Sequence, residues 1–249
     1  MWEIELIADR SNSEKLHNII KKINQPALKK HLVTSVMGDE KKVYLGIGVD
    51  GECELETKSR VRLALCDMYC EEFKYEFVRQ NLNTENCEKE MGKTLEKLCT
   101  YFDRETERAM VLELLELNKP KLNIESFYQF KLRGLRQKWM EFCELLNNSV
   151  DTVTKPTNFV EFVQFLMGGI DNRCKSLILD LKEGCIAYKD EGNEVDVFLG
   201  IDTNYKYNIL VKLVELNPLE VVVCAPYKQK DLVAFITQIF TNRVRIKKI

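Results

Sequence analysis

The sequence predicts an α+β fold of mixed α/β character: an N-terminal α/β unit, a central helical section, and a C-terminal α/β unit with a terminal β-α-β crossover. Three observations predict it. Apolar residues alternate in runs near the N-terminus, as in Trp2-Ile4-Leu6 and Val43-Leu45-Ile47-Val49. From about Thr57 they recur instead at three- and four-residue steps, the period of a helix with one buried face. At the C-terminal end a Val-rich run, a helical stretch and a second alternating run follow one another, the order that makes a parallel strand pair through a crossover helix. The units read as residues 1–56, 57–172 and 173–249, and the end units can share one core, form separate lobes, or even make one sheet.

Each element has its own local reason. Trp2, Ile4 and Leu6 line one side of a first strand. Ser11 or Ser13 can cap a short helix carrying Leu16, Ile19, Ile20 and Ile23, which Pro26 ends. Strands are expected over Leu32–Val36 and Val43–Val49, with Gly38-Asp39 in the turn between them. Val61, Leu65, Met68 and Tyr69, continued by Phe73 and Phe77, form a helical seam, and further helices are expected over Met91–Phe102 and Arg104–Leu117 before Pro120. Ser126 is placed to cap a helix running to Asn147. Its inward stripe is Phe127, Leu135, Trp139, Phe142 and Leu146, with Phe130 nearby. Pro156 suits the first turn of the next helix, which turns Phe159, Phe162, Val163 and Leu166 inward. Strands follow at Ser176–Leu181, Cys185–Tyr188 and Val195–Leu199, with turns at Glu183-Gly184 and Glu191-Gly192-Asn193. The last elements are a helix over Tyr205–Leu216, a strand over Leu219–Cys224, a helix over Asp231–Phe240, and a strand holding Val244, Ile246 and Ile249.

Composition narrows the function classes. Hydrophobic residues make up 45% of the chain and charged residues 31%, the balance of a folding chain rather than a disordered one. Lys and Arg number 37 against 39 Asp and Glu, so no global positive excess points to nucleic acid, and such a site would be a local patch. No segment has the run of about 18 apolar residues that spans a bilayer. The acidic start lacks the basic region of a signal peptide, so the expected location is cytoplasmic. Nine cysteines, an odd number at irregular spacing, fit free thiols in a reducing compartment; Cys143, Cys185 and Cys224 sit among apolar neighbours.

The motifs with chemical meaning are few. Gly46 to Gly51 match G-x-G-x-x-G, but the alternation of Val43, Leu45, Ile47 and Val49 runs through the first two glycines. A nucleotide loop needs the strand to end before them, so a strand followed by an ordinary Asp50-Gly51 turn is expected. Cys66 and Cys70 share a helix face, yet a metal site needs further ligands, and the two histidines, His17 and His31, are distant in sequence. There is no G-x-S-x-G elbow, and nothing selects Cys53 or Cys87 for pairing with a histidine. Glu71, Glu72, Glu85, Glu88 and Glu90 read as solvated helix faces. No catalytic residue, cofactor site or metal site is therefore assigned. The candidate binding residues are basic: Lys131, Arg133, Arg136 and Lys138 on one helix, and Arg243, Arg245 and Lys247 alternating along the last strand, where they suit phosphate contacts or a charge-guarded sheet edge.

The run Phe127-x-x-Phe130-Lys131-Leu132-Arg133 resembles the YtxC-like family of sporulation proteins, which opens this helix with phenylalanines and basic residues. Asn158 to Val163, then Leu213 to Val223, then Leu232 to Val244 extend the resemblance in order, so that it covers residues 123–249. Lys131 stands where arginine is usual, and Gly134-Leu135 and Gly168-Gly169 depart from the family pattern. The resemblance implies a cytoplasmic protein linked to sporulation and carries over no activity or site residues. The expected function is protein–protein interaction with an unknown partner or with itself. Polyanion binding through 131–138 and 243–247 is one alternative, and an enzyme with an unrecognised pocket another.

Overall fold

A computed structural model describes residues 1–24, 31–190, 193–199, 205–225 and 229–248, without the side chains of Pro156, Asp190 and Lys248. Pro26, the Glu191-Gly192 part of the expected turn, and Ile249 lie outside the described residues. The element order is β1 (Trp2–Asp9), α1 (Ser13–Ile23), β2 (Leu32–Gly38), β3 (Lys42–Val49), α2 (Glu54–Asp67), α3 (Lys74–Asn81), α4 (Lys89–Tyr101), α5 (Arg104–Leu114), β4 (Lys121–Asn123), α6 (Ile124–Ser126), α7 (Arg133–Asn147), α8 (Val150–Val153) and α9 (Pro156–Gly168), then β5 (Ser176–Asp180), β6 (Cys185–Asp190), β7 (Asn193–Phe198), α10 (Tyr205–Leu216), β8 (Glu220–Ala225), α11 (Lys230–Phe240) and β9 (Val244–Lys248). The fold is α+β, as the patterning predicts. The strands divide between two sheets, and the chain between two units: Met1–Gln80 with Thr106–Phe142, and Asn81–Glu105 with Cys143–Ile249. The helices of 57–172 are thus shared between the units.

The first unit holds the sheet β2-β3-β1-β4. Its first three strands are antiparallel neighbours, and the short β4 pairs parallel to β1. Alternation buries Ile4, Leu6 and Ala8 on β1 and Val43, Leu45, Ile47 and Val49 on β3, in one core with Leu16 and Ile19 of α1 and Val61 and Leu65 of α2. The seam Val61-Leu65-Met68-Tyr69-Phe73-Phe77 is buried throughout, as expected. The second unit holds the sheet β7-β6-β5-β8-β9, with an antiparallel meander over β5, β6 and β7. β8 lies parallel to both β5 and β9, so β8-α11-β9 is the crossover predicted at the C-terminal end. Among the described residues, no helix is long and apolar enough to cross a membrane.

The helix expected from Ser126 differs in two ways. Its cap is Asn123, whose side chain accepts from the Ser126 N–H at 2.8 Å, while Ser126 itself is already helical. Phe127–Lys131 is π-helical: the Leu132 N–H reaches back five residues to the Phe127 carbonyl at 3.2 Å. The inserted residue rotates the stripe. Phe127, Leu132, Leu135 and Trp139 are buried, whereas Phe130, expected near the core, is 76% exposed. A second π-helical segment, Met68–Phe73, joins α2 to α3. The two segments pack ring against ring, Tyr69 on Phe127 at 5.1 Å and Phe73 on Tyr128 at 4.7 Å.

Candidate functional site

The outer face of the first sheet, opposite the buried one, carries a broad depression. Strand alternation sends Glu3 and Glu5 of β1 and Val33 and Ser35 of β2 to this face, on either side of β3. The residues of β3 between them are Gly46, opposite Glu5 and Ser35, and Gly48, opposite Glu3 and Val33. With no side chains on its floor, the face forms a trough of about 700 Å³ that also takes in His31, Asp50 and Lys121. A Cβ on Gly46 would come within 2.7 Å of the Ser35 Oγ, whereas one on Gly48 would meet nothing within 4 Å. The two glycines therefore sit inside a strand, as the alternation predicts. Glu5 is held by Lys121 of β4 at 2.8 Å.

At one end of the trough three side chains meet. The β2–β3 register pairs Leu32 with Val49 and so sets His31 beside Asp50. His31 Nδ1 and Asp50 Oδ2 are 2.6 Å apart, and the Cys53 Sγ completes a group whose candidate ligand atoms all lie within 4.8 Å of one another. The hydrogen bond to His31, followed by the electrostatic pull of the same ring and the N–H groups of Cys53 and Glu52, holds the Asp50 carboxyl below its usual range. Partial burial raises the Cys53 thiol, and the charges of Asp50, Glu56 and Glu52 raise it further. A raised thiol is a poor free nucleophile at neutral pH.

The sheet edges form the second candidate surface. β2 ends the first sheet, and its seven residues, Leu-Val-Thr-Ser-Val-Met-Gly, carry no charge. Among the described residues no strand pairs with its far side, and Val33, Val36 and Met37 are 71%, 45% and 66% exposed. The other three edges carry the usual guards. β4 is three residues long, β7 carries Glu194 and Asp196, and β9 carries Arg245 and Lys247.

The basic candidates do not gather into one site. Lys131, Arg133, Arg136 and Lys138 belong to the first unit, and Arg243, Arg245 and Lys247 to the second. Arg133 and Arg136 lie one turn apart on α7, but Arg136 is half-buried with its guanidinium 4.8 Å from the Tyr128 ring centre. Lys138 turns toward Met110, and Lys131 falls in the π-helical segment. Arg243 lies just before β9, not on it. It donates to the Asn217 Oδ1 at 2.8 Å and to the Pro218 carbonyl at 3.2 Å, which tie it to the turn before β8. Arg245 pairs with Glu220 at 2.8 Å across the strand pair, and Lys247 is exposed on the same side of β9.

Cys66 and Cys70 are fully buried, and their mutual hydrogen bond and burial drive the Cys70 thiol far up, as befits core residues. Cys143 and Cys224 are buried too, while Cys185 is half-buried. Comparisons of this chain with protein-family models, curated proteins and solved structures gave no match.

The cluster of His31, Asp50 and Cys53 escaped the sequence reading, which judged the histidines by distance along the chain. The signal was there in the hairpin: two strands joined by a turn at Gly38-Asp39 pair residue 32 with residue 49, and so bring His31 to the Asp50-Gly51 turn.

Proposed function

We propose that this chain is a cytoplasmic, sporulation-associated protein of the YtxC-like kind that acts through protein–protein contact, with β2 as its docking edge and a second copy of the chain as the occupant. The sporulation context is supported by the ordered resemblance over 123–249. The contact surface is supported by one observation above all: β2 is a long, uncharged, exposed edge, while the other sheet edges among the described residues are short or charged. Such an edge offers unpaired backbone groups for strand addition.

A second copy fits because the sequence of β2 is self-complementary. Antiparallel pairing about Ser35 sets Val33 against Met37 on the outer face and Thr34 against Val36 on the inner one. Apolar groups meet apolar groups at both ends, and a two-fold axis closes the assembly. Polyanion binding draws less support, because Arg243 and Arg245 already have protein partners.

Ser35→Lys and Ser35→Glu test this. In the pairing described, each places like charges face to face at the axis, where opposition costs several kcal/mol and raises the dissociation constant about a hundredfold or more. Each variant alone should sediment as a monomer, the wild type as a dimer, and an equimolar mixture of the two variants as a dimer again. A monomeric wild type, or a Ser35→Lys dimer, overturns the pairing. Heat-resistant spores should fall in number when the gene is deleted, and an unchanged count removes the sporulation reading.

A further inference from the structure

We propose that His31, Asp50 and Cys53 bind one divalent transition-metal ion of the zinc class. The three donors are an imidazole nitrogen, a carboxylate oxygen and a thiol sulfur, with ligand atoms within 4.8 Å of one another. A tetrahedral zinc ion with bonds of roughly 2.0–2.3 Å holds its ligand atoms roughly 3.3–3.8 Å apart. The cluster therefore closes by roughly an ångström at its widest, while the 2.6 Å contact between His31 and Asp50 opens by a similar amount as the ion replaces a shared proton. Mixed nitrogen, oxygen and sulfur donors suit zinc or cobalt and disfavour magnesium and calcium, which take oxygen.

The fold already holds each ligand. His31 is set by the β2–β3 register, and Asp50 by the N–H groups of Cys53 and Glu52. Cys53 stands at the start of α2, where its carbonyl accepts from the Thr57 N–H at 3.0 Å. Asp50 is exposed and the other two are half-buried, which leaves a path for the ion. Glu3 joins Asp50 in the trough lining and Glu52 lies beside Cys53 in sequence, which adds negative charge near the site, while Glu54 and Glu56 are paired with Lys58 and Arg60 at 2.7 Å. Three protein ligands leave one coordination position, and two of the three line the trough, so that position opens on it.

The simpler account is a hydrogen-bonded cap, in which the His31–Asp50 contact closes the hairpin and Cys53 begins a helix. Cobalt separates the two. The reduced, chelator-stripped full-length protein is titrated with Co²⁺ and followed by absorption. One equivalent should give a sulfur-to-cobalt charge-transfer band with the visible bands of a four-coordinate ion, and Zn²⁺ should displace it. Cys53→Ser should abolish the charge-transfer band. His31→Ala and Asp50→Asn should each weaken binding about tenfold or more. Cys87→Ser and Cys185→Ser, at the other half-buried thiols outside the cluster, should change nothing. Zn²⁺ should raise the melting temperature of the wild type and not that of Cys53→Ser, whose circular dichroism without metal should match the wild type. No charge-transfer band, or one that survives Cys53→Ser or is indifferent to both His31→Ala and Asp50→Asn, overturns the site. His31, Asp50 and Cys53 all lie outside β2, so failure of the β2 pairing leaves this result untouched.

Discussion

Two buried polar centres, one in each unit, are built by different means. In the first, Lys74 and Glu107 form a buried ion pair, with both carboxylate oxygens 2.8 Å from the ammonium, and the Trp139 indole N–H donates to the same carboxylate at 2.8 Å. In the second, the buried amide of Asn217 donates to the Met167 and Ile170 carbonyls at 3.1 and 2.5 Å and accepts from Arg243. The ion pair links α3 and α5, and the indole hydrogen bond adds α7; the amide fastens the end of α9 to the turn before β8. The difference teaches where a single substitution hurts most. A buried charge that loses its counter-charge has no inexpensive state, whereas a lost amide leaves two neutral carbonyls without their donor and Arg243 still bonded to the Pro218 carbonyl.

Lys74→Met removes the ammonium that meets both Glu107 oxygens in the core and should cost about 3–5 kcal/mol, read as a lower urea midpoint with unchanged slope. Adding Glu107→Leu removes the remaining carboxylate, and the double variant should recover most of the loss, because a packed apolar replacement of a buried pair is often close to neutral. A double variant as unstable as the sum of its singles would show that this centre carries no charge-specific penalty, and the contrast between the two centres would fail.

The neutral half gives a smaller effect. Asn217 has a φ of 37°, a left-handed conformation that asparagine tolerates better than most residues. Asn217→Ala loses the amide hydrogen bonds and strains the backbone, for about 2–4 kcal/mol, and Asn217→Gly should recover about 1 kcal/mol of that by relieving the strain alone. Equal denaturation midpoints for the alanine and glycine variants would mean that the backbone conformation contributes nothing.

Legibility followed the range of the interactions. Strands and helices were readable because alternation and helical period are local consequences of burial, and the hydrophobic seam from Val61 to Phe77 lies where the period put it. Phe130 was misplaced because the π-helical turn at Phe127–Lys131 inserts a residue that helical spacing does not record. β4 went unread because three residues are too few to alternate, and its strand character comes from pairing with β1. Asn123 was missed as a cap because Ser126, a residue of equal capping propensity, lies three positions on. The basic residues were legible as types and not as a patch: Arg243 reads as one more strand-face arginine until its bonds to Asn217 and Pro218 are seen.

The smallest change in folding stability should come from the edges, where the units differ again. β2 is uncharged, while β9 projects Arg245 and Lys247, the former 80% exposed even though it pairs with Glu220. A surface pair of this kind contributes at most about 1 kcal/mol, so Arg245→Thr with Lys247→Thr should leave the denaturation midpoint nearly unchanged. Its effect should appear in association instead. Threonine suits a strand, and without the two charges the free side of β9 loses its electrostatic guard. The substitutions are best made in the Ser35→Lys background, so that β2 pairing does not mask the outcome. Sedimentation equilibrium should then show concentration-dependent association over the range in which Ser35→Lys alone stays monomeric. If the triple variant also stays monomeric, charge is not what keeps β9 unpaired, and the argument that singles out β2 by its lack of charge loses its main support.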